Sequence, residues 1–424
     1  MELYIVLAIM AFMIVGFVLN KWPFGLTAMT CCVLLAVTGV LKINQAFAGF
    51  TNQNVILVAP MFVLSAAFSK TRLLHKIQDK MVTLKGKSGF FLLVALYAVV
   101  IILACFLPTT GEMTLMLMFL VSLGNTGDIT PSRMTIPILG MLSMWGTKLP
   151  VGMGAAAYAT YNVYYEGMVT SPDQLLGILD QFKVSIIPCI LVTIYCLFGY
   201  KLMPNTSFDE SKLKAQKKVE ELPRDKELII YGVFVVVMAS LFFNSVLGSM
   251  MYIIPAIGIL VLAYTKALSV KEIVAGLTSD PVWMMIGVLV MADALGSSGA
   301  GELIGQMILK ILGGNPSSLF VLFVFAIVTV VMTTFMSNAA TKNVLIPIAA
   351  STCLAAGWDP RGVVLIVAIC SNIAIAFPSG SPACGIAFAS GGYKVSSTLK
   401  FTVPFILIAL VSTVLCADFF FPVG

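Results

Sequence analysis

The sequence predicts an all-α polytopic membrane protein with two inverted-topology repeats, each containing five transmembrane spans and one re-entrant hairpin. The chain is 59% hydrophobic and 10% charged, whereas a soluble domain carries about 25% charged residues. Apolar runs long enough to cross a bilayer, roughly 17 to 25 residues each, recur along almost the whole chain. Matching short motifs recur in the two halves and indicate the duplication.

The first repeat is assigned to residues 1-203. Its scaffold helices lie within 1-87, with spans at 3-20, 24-41 and 54-69. Glu2 rather than a basic region precedes the first span and no small-residue cleavage pattern follows it, so we expect a retained helix rather than a signal peptide. The repeat continues with a hairpin at 88-125, a broken helix at 133-166 and a helix at 181-202.

A hydrophilic connection at 204-227, PNTSFDESKLKAQKKVEELPRDKE, separates the halves and is expected to be cytoplasmic. The second, inverted repeat covers 228-424. Its scaffold helices lie within 228-297, with spans at 228-246, 251-268 and 281-297. It continues with a hairpin at 316-352, a broken helix at 361-393 and a helix at 401-421.

Three pairs of motifs indicate the duplication: AGFTNQNV at 48 with AGLTSDPV at 275, FLPTTGE at 106 with FMSNAAT at 335, and LPVG at 149 with FPSG at 377. The members of these pairs are 227, 229 and 228 residues apart. Each match alone is weak, but the near-constant spacing is typical of a repeat. Five spans and one hairpin make an odd number of crossings, so the second half must be inverted. Inverted repeats are typical of secondary transporters.

Most of the 25 lysine and arginine residues lie on one side of the membrane if the first helix runs from outside to inside. They include the stretch 70-87, which we expect to be an interfacial helix, and the connection 204-227. The positive-inside rule places this side in the cytoplasm and both termini outside. The net charge of +6 reflects these loops and does not indicate a nucleic-acid partner.

Residue types that perform catalysis or bind metals are scarce in the predicted spans. The nine cysteines lie in apolar runs without a CxxC pair, and the single histidine, His75, lies among lysines. Neither an HExxH helix nor a GxGD aspartyl motif is present. We therefore expect that the protein is not an enzyme and has no cofactor other than a coupling ion.

Polar residues interrupt four predicted elements near their middles. The hairpins are interrupted at LPTTGE and MSNAATKN, and the spans 133-166 and 361-393 at WGTKLPVGMG and AFPSGSPACG. Proline removes a backbone donor and glycine weakens a helix, so both spans are expected to unwind at mid-membrane. The freed backbone groups then face a cavity, because lipid cannot satisfy them. A proline kink packed against neighbouring helices is the alternative for either span alone.

Two lysines, Lys148 and Lys342, fall inside these interruptions. Lys148 is about 16 residues from either end of its span, or roughly 24 Å, which exceeds the reach of its side chain to the membrane surface. An ionised lysine at mid-membrane costs at least ~3 kcal/mol, so a partner or a function is expected. A structural ion pair with Glu112 is one explanation for Lys148, and a position outside the membrane is one for Lys342.

The run FMSNAATKNVLIPIA, followed about 40 residues later by FPSGSPACG and then ASGGY, resembles the divalent anion/sodium symporter family of the ion transporter superfamily. The early stretch GFTNQNVILVAPMFVLSAAF is similar to the first-repeat signature of that family. The resemblance implies a homodimer of scaffold and transport domains that moves dicarboxylate-, citrate- or sulfate-like anions by an elevator motion. The short loops favour a bacterial inner (cytoplasmic) membrane as its location.

The family signatures and the two lysines together define the candidate site. The substrate-binding candidates are Thr109, Thr110, Gly146, Thr147, Lys148, Pro150, Gly152, Ser337, Asn338, Thr341, Lys342, Pro378, Gly380 and Ser381. The ion-coupling candidates are Glu112, Asn338, Ala339 and Gly380, with Na⁺ near Asn338 and Gly380 or a proton on Glu112.

This chain departs from the family pattern at several of these positions. Ala339 stands where the second hairpin signature has threonine, and Cys384 stands where the second break has asparagine. In the first hairpin the signature falls on Pro108, Thr109 and Thr110, so its serine and asparagine are both lost. Sodium sites built from those side chains are therefore in question, the first more than the second.

The sequence leads to one main function and one alternative on the same fold. The main one is secondary active transport of small divalent anions by sodium-independent exchange, in which Lys148 and Lys342 replace the charge of lost sodium ions. A carrier with permanently positive sites returns empty only with difficulty, which favours exchange. The alternative is sodium- or proton-coupled anion symport. A passive channel would need no inverted pair of interrupted hairpins, and a membrane-embedded enzyme lacks its motifs.

Overall fold

The structure, a computed structural model, describes residues 2–19, 21–68, 70–72, 89–123, 129–206, 222–314 and 316–424. Within these ranges every regular element is a helix, which confirms the predicted all-α class. Most of the predicted interfacial segment 70-87 and most of the connection 204-227 lie outside the described residues. The inverted relation between the two halves stays a prediction.

The first half contains nine α-helices among its described residues. They are α1 (Glu2–Leu19), α2 (Phe24–Val37), α3 (Ile43–Ala46), α4 (Gln53–Phe68), α5 (Phe90–Leu103), α6 (Thr109–Leu123), α7 (Pro131–Trp145), α8 (Ala157–Asn162) and α9 (Asp180–Gly199).

The second half begins in the connection between the halves, and its described helices follow a similar order. They are α10 (Arg224–Phe242), α11 (Asn244–Leu247), α12 (Met250–Tyr264), α13 (Val270–Leu277), α14 (Asp280–Ser298), α15 (Ala300–Ile311), α16 (Ser318–Phe335), α17 (Asn338–Ala355), α18 (Arg361–Cys370), α19 (Pro382–Gly391) and α20 (Val395–Phe420).

Each predicted hairpin contains two successive helices, and each predicted broken helix contains two separate helices. That the hairpins re-enter the membrane stays a prediction. The first hairpin consists of α5 and α6 and the second of α16 and α17, while the two broken helices are α7–α8 and α18–α19. Five helical segments of the described chain are long and apolar enough to cross a membrane, and shorter apolar helices accompany them. The predicted span 24-41 ends earlier, at Val37, because Gly39 has a left-handed backbone (φ 75°).

Two amphipathic helices, α13 and α15, were not predicted from the sequence. Each places apolar side chains on one face and charged ones on the other, and each adjoins the long helix α14. Ser269 and Glu272 form a capping box at the start of α13. Both helices, of 8 and 12 residues, are shorter than the roughly 17 to 25 residues of a membrane span, and so a search for spans passes over them.

Among the described helices the most extensive contact joins α2 of the first half to α14 of the second. The carboxylate of Asp280, the first residue of α14, accepts hydrogen bonds from Phe24 N at 3.2 Å and Gly25 N at 2.7 Å. A carboxylate suits this position because the first amides of a helix lack partners and carry positive charge. Gly287 lets the two backbones approach, since a Cβ there would lie 2.5 Å from the Ala28 carbonyl carbon.

The broken helices also pack against other parts of the chain, and in one case across the halves. The second part of the second broken helix, α19, contacts α6 of the first hairpin and α7 of the first broken helix. The second part of the first broken helix, α8, contacts α4. The second part of each broken helix therefore packs against other helices of the assembly.

We predict that Gly287→Ala lowers the melting temperature of the detergent-purified protein. The added methyl group overlaps Ala28, and overpacking of this kind costs about 1–3 kcal/mol. Gly232→Ala in α10 is the matched control, because no atom lies within 4 Å of its Cβ position. Equal melting temperatures for the two variants would contradict the close α2–α14 packing.

Candidate functional site

The first broken helix unwinds at the predicted position. α7 ends at Trp145, and regular structure resumes with a short 3₁₀ helix at Gly152–Ala156. Thr147 has a left-handed backbone (φ 61°), which is unfavourable for a residue with a Cβ, and Gly152 has the same φ. Two left-handed backbone positions therefore lie within the break, and Lys148 lies between them.

The tip of the first hairpin lies against this break. Met153 N donates to the Cys105 carbonyl oxygen at 3.3 Å, and a Cβ on Gly152 would overlap that same oxygen. Thr109 Oγ1 is 3.7 Å from the Cβ position of Gly146. Glycine at position 152 is thus needed both for the backbone conformation and for the approach of the hairpin.

Lys148 is buried in this break with its ammonium group on a backbone oxygen. Its side chain is 2% exposed, and Nζ donates to the Gly146 carbonyl oxygen at 3.0 Å. Lys342, on α17, is close enough for its positive charge to act on Lys148. The site therefore contains two cationic groups, one contributed by each half.

No carboxylate in the described part of the chain pairs with either lysine. Glu112 is 1% exposed, and its Oε1 has no hydrogen-bond partner. The structural ion pair between Glu112 and Lys148 that was considered from the sequence is not present. The site keeps an uncompensated positive charge.

Two residues that the sequence did not single out adjoin the lysines: Tyr161 contacts Lys342 and the loop of Lys148, and Gln181 contacts Tyr161. Lys342 Nζ lies over the ring of Tyr161, 5.9 Å from its centroid. Gln181 Nε2 donates to the Tyr161 hydroxyl at 3.4 Å, and the Thr147 side chain lies against the same hydroxyl. Neither residue belongs to an interrupted motif. The one signal that the sequence offered for this contact is that Gln181 is a lone side-chain amide in the predicted apolar span 181-202.

The tip of the second hairpin holds a group of oxygens around Asn338, which we call the Asn338 oxygen cluster. It consists of Asn338 Oδ1, Thr333 Oγ1 and the carbonyl oxygens of Ser371 and Gly380. The last three lie 2.9, 2.9 and 3.0 Å from the Asn338 Oδ1 position. Rotating the amide would place Nδ2 there as a donor, and a bound cation would satisfy the oxygens equally well. Thr333 and Ser371 were not predicted from the sequence.

The second broken helix unwinds between Cys370 and Pro382. Ser381 caps α19 by accepting from Cys384 N at 3.2 Å, and Ser337 caps α17 by accepting from Ala340 N at 3.2 Å. Pro378 is exposed at the outer part of this loop. The two predicted serines therefore act in this structure as helix caps that aim positive helix ends at the breaks.

The remaining predicted residues lie around these centres. Thr341 is fully buried, and its hydroxyl has no hydrogen-bond partner. Thr110 is exposed in the first turn of α6. Pro150 and Ala339 are half-buried beside the first break and at the start of α17. Of these four residues, Thr341 precedes Lys342 in the chain and has a buried hydroxyl without a hydrogen-bond partner.

The family model described as the sodium:sulfate symporter transmembrane region matches residues 2–423. The chain belongs to this family. The match confirms the family that the hairpin and break motifs suggested, and it makes the protein an integral membrane transporter rather than an enzyme.

Three known transporters are similar to this chain over most of its length. An uncharacterized transporter of Haemophilus influenzae is 24% identical over 411 residues, which is 93% of this chain and 87% of the relative. The chloroplastic dicarboxylate transporter 1 of Arabidopsis thaliana is 27% identical, over 87% of this chain and 68% of the relative. The sodium-dependent dicarboxylate transporter SdcS of Staphylococcus saprophyticus is 21% identical, over 98% and 86%.

A solved structure supports the fold. The YdaH transporter of Alcanivorax borkumensis, described as having an unusual topology, superposes with a TM-score of 0.60 at 14% sequence identity. The superposition covers 92% of this chain and 89% of that one. This likeness concerns the fold alone.

We predict that Gly152→Ala destabilises the site, because its methyl group would displace the Cys105 carbonyl and would require a left-handed backbone. A loss of about 1–3 kcal/mol of stability is expected. Gly385→Ala on α19 serves as control, since its nearest neighbour is at an ordinary 3.6 Å. Thermal unfolding of both purified variants tests this, and a Gly152→Ala protein as stable as the control would refute the contact.

Proposed function

We propose that the protein is a secondary active transporter of small divalent anions, of the dicarboxylate, citrate or sulfate type, and that it exchanges one anion for another without sodium. The observation that supports this most is the pair of lysines, Lys148 and Lys342, which lie within electrostatic range of each other and have no carboxylate partner among the described residues.

The charge of the site matches that of a divalent anion. Two ammonium groups in apolar surroundings are costly unless they are paired. An anion about 4 Å from one of them gains on the order of 4 kcal/mol at an effective dielectric constant of 20. The capped starts of α17 and α19 add positive potential, and the buried Thr341 hydroxyl is free to bond an anion oxygen.

The same charges explain why exchange is expected. After the anion leaves, neither lysine has a carboxylate partner, and moving the site across the membrane in that state carries the cost of one buried and one half-buried charge. A second anion on the opposite side removes the cost. The names of the relatives agree with an anionic substrate, since they are dicarboxylate transporters of a plant chloroplast and of bacteria.

The assembly that we propose follows the family resemblance. The protein works as a homodimer in a cytoplasmic membrane, and the hairpins and broken helices move together against the scaffold helices in an elevator motion. The packing of α19 on α6 and α7 supports a single moving body that includes parts of both halves.

Sodium-coupled symport is the second candidate, and the Asn338 oxygen cluster favours it. A set of hydroxyl, amide and carbonyl oxygens within about 3 Å of one another suits a hard cation. Asn338, Thr333, Ser371 and Gly380 would hold Na⁺, which would supply positive charge next to the anion. Two relatives carry the words sodium-dependent in their names. Proton coupling would instead use Glu112, whose Oε1 has no partner.

We predict uptake of radiolabelled succinate, citrate or sulfate into proteoliposomes that requires unlabelled anion inside and does not require sodium. Lys148→Met and Lys342→Met each remove a charge that binds the anion, so exchange should fall at least about tenfold in each variant. Lys310→Met is the matched control, because Lys310 is an exposed lysine on α15 away from the site.

Three results would contradict this proposal. Sodium-dependent uptake without internal anion would favour symport, and Thr333→Val should then raise the sodium concentration needed for half-maximal uptake. Full activity of either lysine variant would remove the proposed role of its charge. Absence of exchange for all three anions would reject the substrate class.

A further inference from the structure

Tyr161 joins three elements of the site that come from different parts of the chain. It lies on α8, directly after the first break, and its side chain is 3% exposed. Its ring faces Lys342 of the second hairpin, and its hydroxyl contacts Gln181 of α9 and Thr147 of the break. A side chain with these contacts links the loop that carries Lys148 to the helix that carries Lys342.

The ring restricts where the Lys342 ammonium group can lie. A cation is attracted to the face of an aromatic ring within about 6 Å of its centroid, and the attraction grows when water is excluded. The 5.9 Å separation is within this range. Lysine has a flexible side chain, so a fixed ring beneath it limits the positions that its charge can take.

The hydroxyl acts on the other lysine through the loop. Thr147 is held with a left-handed backbone that a residue with a Cβ rarely adopts, so surrounding contacts must maintain it. Its side chain lies against the Tyr161 hydroxyl, and Lys148 is the next residue. Gln181, itself 3% exposed, donates to that hydroxyl and fixes the tyrosine in place.

We propose that Tyr161 is a positioning residue that sets the spacing between the Lys148 and Lys342 ammonium groups and thereby selects divalent over monovalent anions. This inference rests on the proposed function. Two cations at a fixed separation bind an anion with two charged groups better than one with a single group, whereas freely moving cations discriminate less.

A neighbouring tyrosine provides a control for simple packing. Tyr158 lies on the same helix, one turn earlier, and is also buried at 7% exposure. Its hydroxyl has no hydrogen-bond partner. Tyr158→Phe therefore removes a buried hydroxyl from α8 without removing a contact to the site.

The test compares Tyr161→Leu, Tyr161→Phe and Tyr158→Phe with wild type in proteoliposome exchange of succinate, citrate and sulfate. Acetate is added as a competing monovalent anion. We expect Tyr161→Leu to raise the KM for the exchanged divalent anion about tenfold, with a maximal rate within about twofold of wild type. Tyr161→Phe keeps the ring and should raise KM about threefold. Tyr158→Phe should have the wild-type KM. In the two Tyr161 variants, the acetate concentration that gives half inhibition should rise by a smaller factor than the KM for the divalent anion.

The outcomes separate this inference from the function on which it rests. Wild type that exchanges none of the three anions contradicts both. If the wild-type protein is active, two results would contradict the inference alone. In the first, Tyr161→Leu and Tyr161→Phe keep the wild-type KM. In the second, their affinities for acetate and for the divalent anion fall by the same factor. If Tyr161→Leu is not recovered as folded protein, the KM of Tyr161→Phe decides, because that variant retains the ring.

Discussion

Backbone and charged groups inside the apolar part of this molecule must find partners within the protein, because hydrocarbon offers none. The two broken helices create this demand, since each ends midway and frees carbonyl groups at one end and amides at the other. Glycine, proline, a capping serine and a buried lysine occur at these two breaks, where the backbone groups lack helical partners. The packing of the hairpins against the breaks follows from the same need, as shown by the Cys105 carbonyl accepting from Met153.

The two halves meet this demand differently, and the difference bears on function. At the first break the Lys148 ammonium group bonds the Gly146 carbonyl oxygen, so a fixed cation of the protein lies among the freed backbone groups. At the second break the Asn338 side chain lies among hydroxyl and carbonyl oxygens that suit either an amide donor or a bound cation. The first break therefore holds a lysine ammonium group, whereas the second is lined by a cluster of oxygens.

The sequence predicted the helical class and the family, because composition and short motifs are local properties of the chain. Helices also end at the two stretches where proline and glycine interrupt the apolar runs. The contacts at the site were harder to predict. Tyr161 and Gln181 lie outside every interrupted motif, and their contacts arise because folding brings α8 next to Gln181 of α9 and Lys342 of α17. Thr333 joins Asn338 through the turn of a hairpin, and the Ser371 and Gly380 carbonyls belong to the backbone. Backbone oxygens leave no signature in a sequence, and neither does the fact that Lys148 pairs with no carboxylate among the described residues.

The most direct test is an experimental structure of the full chain in lipid with selenate as a heavy-atom analogue of sulfate or with bromosuccinate as an analogue of succinate. The account predicts that the anion lies between the Lys148 and Lys342 ammonium groups and next to the first break. At least one of the two ammonium groups should be within hydrogen-bonding distance of it. An anion bound away from both lysines, with Lys148 still on the Gly146 carbonyl and a cation in the Asn338 oxygen cluster, would contradict it.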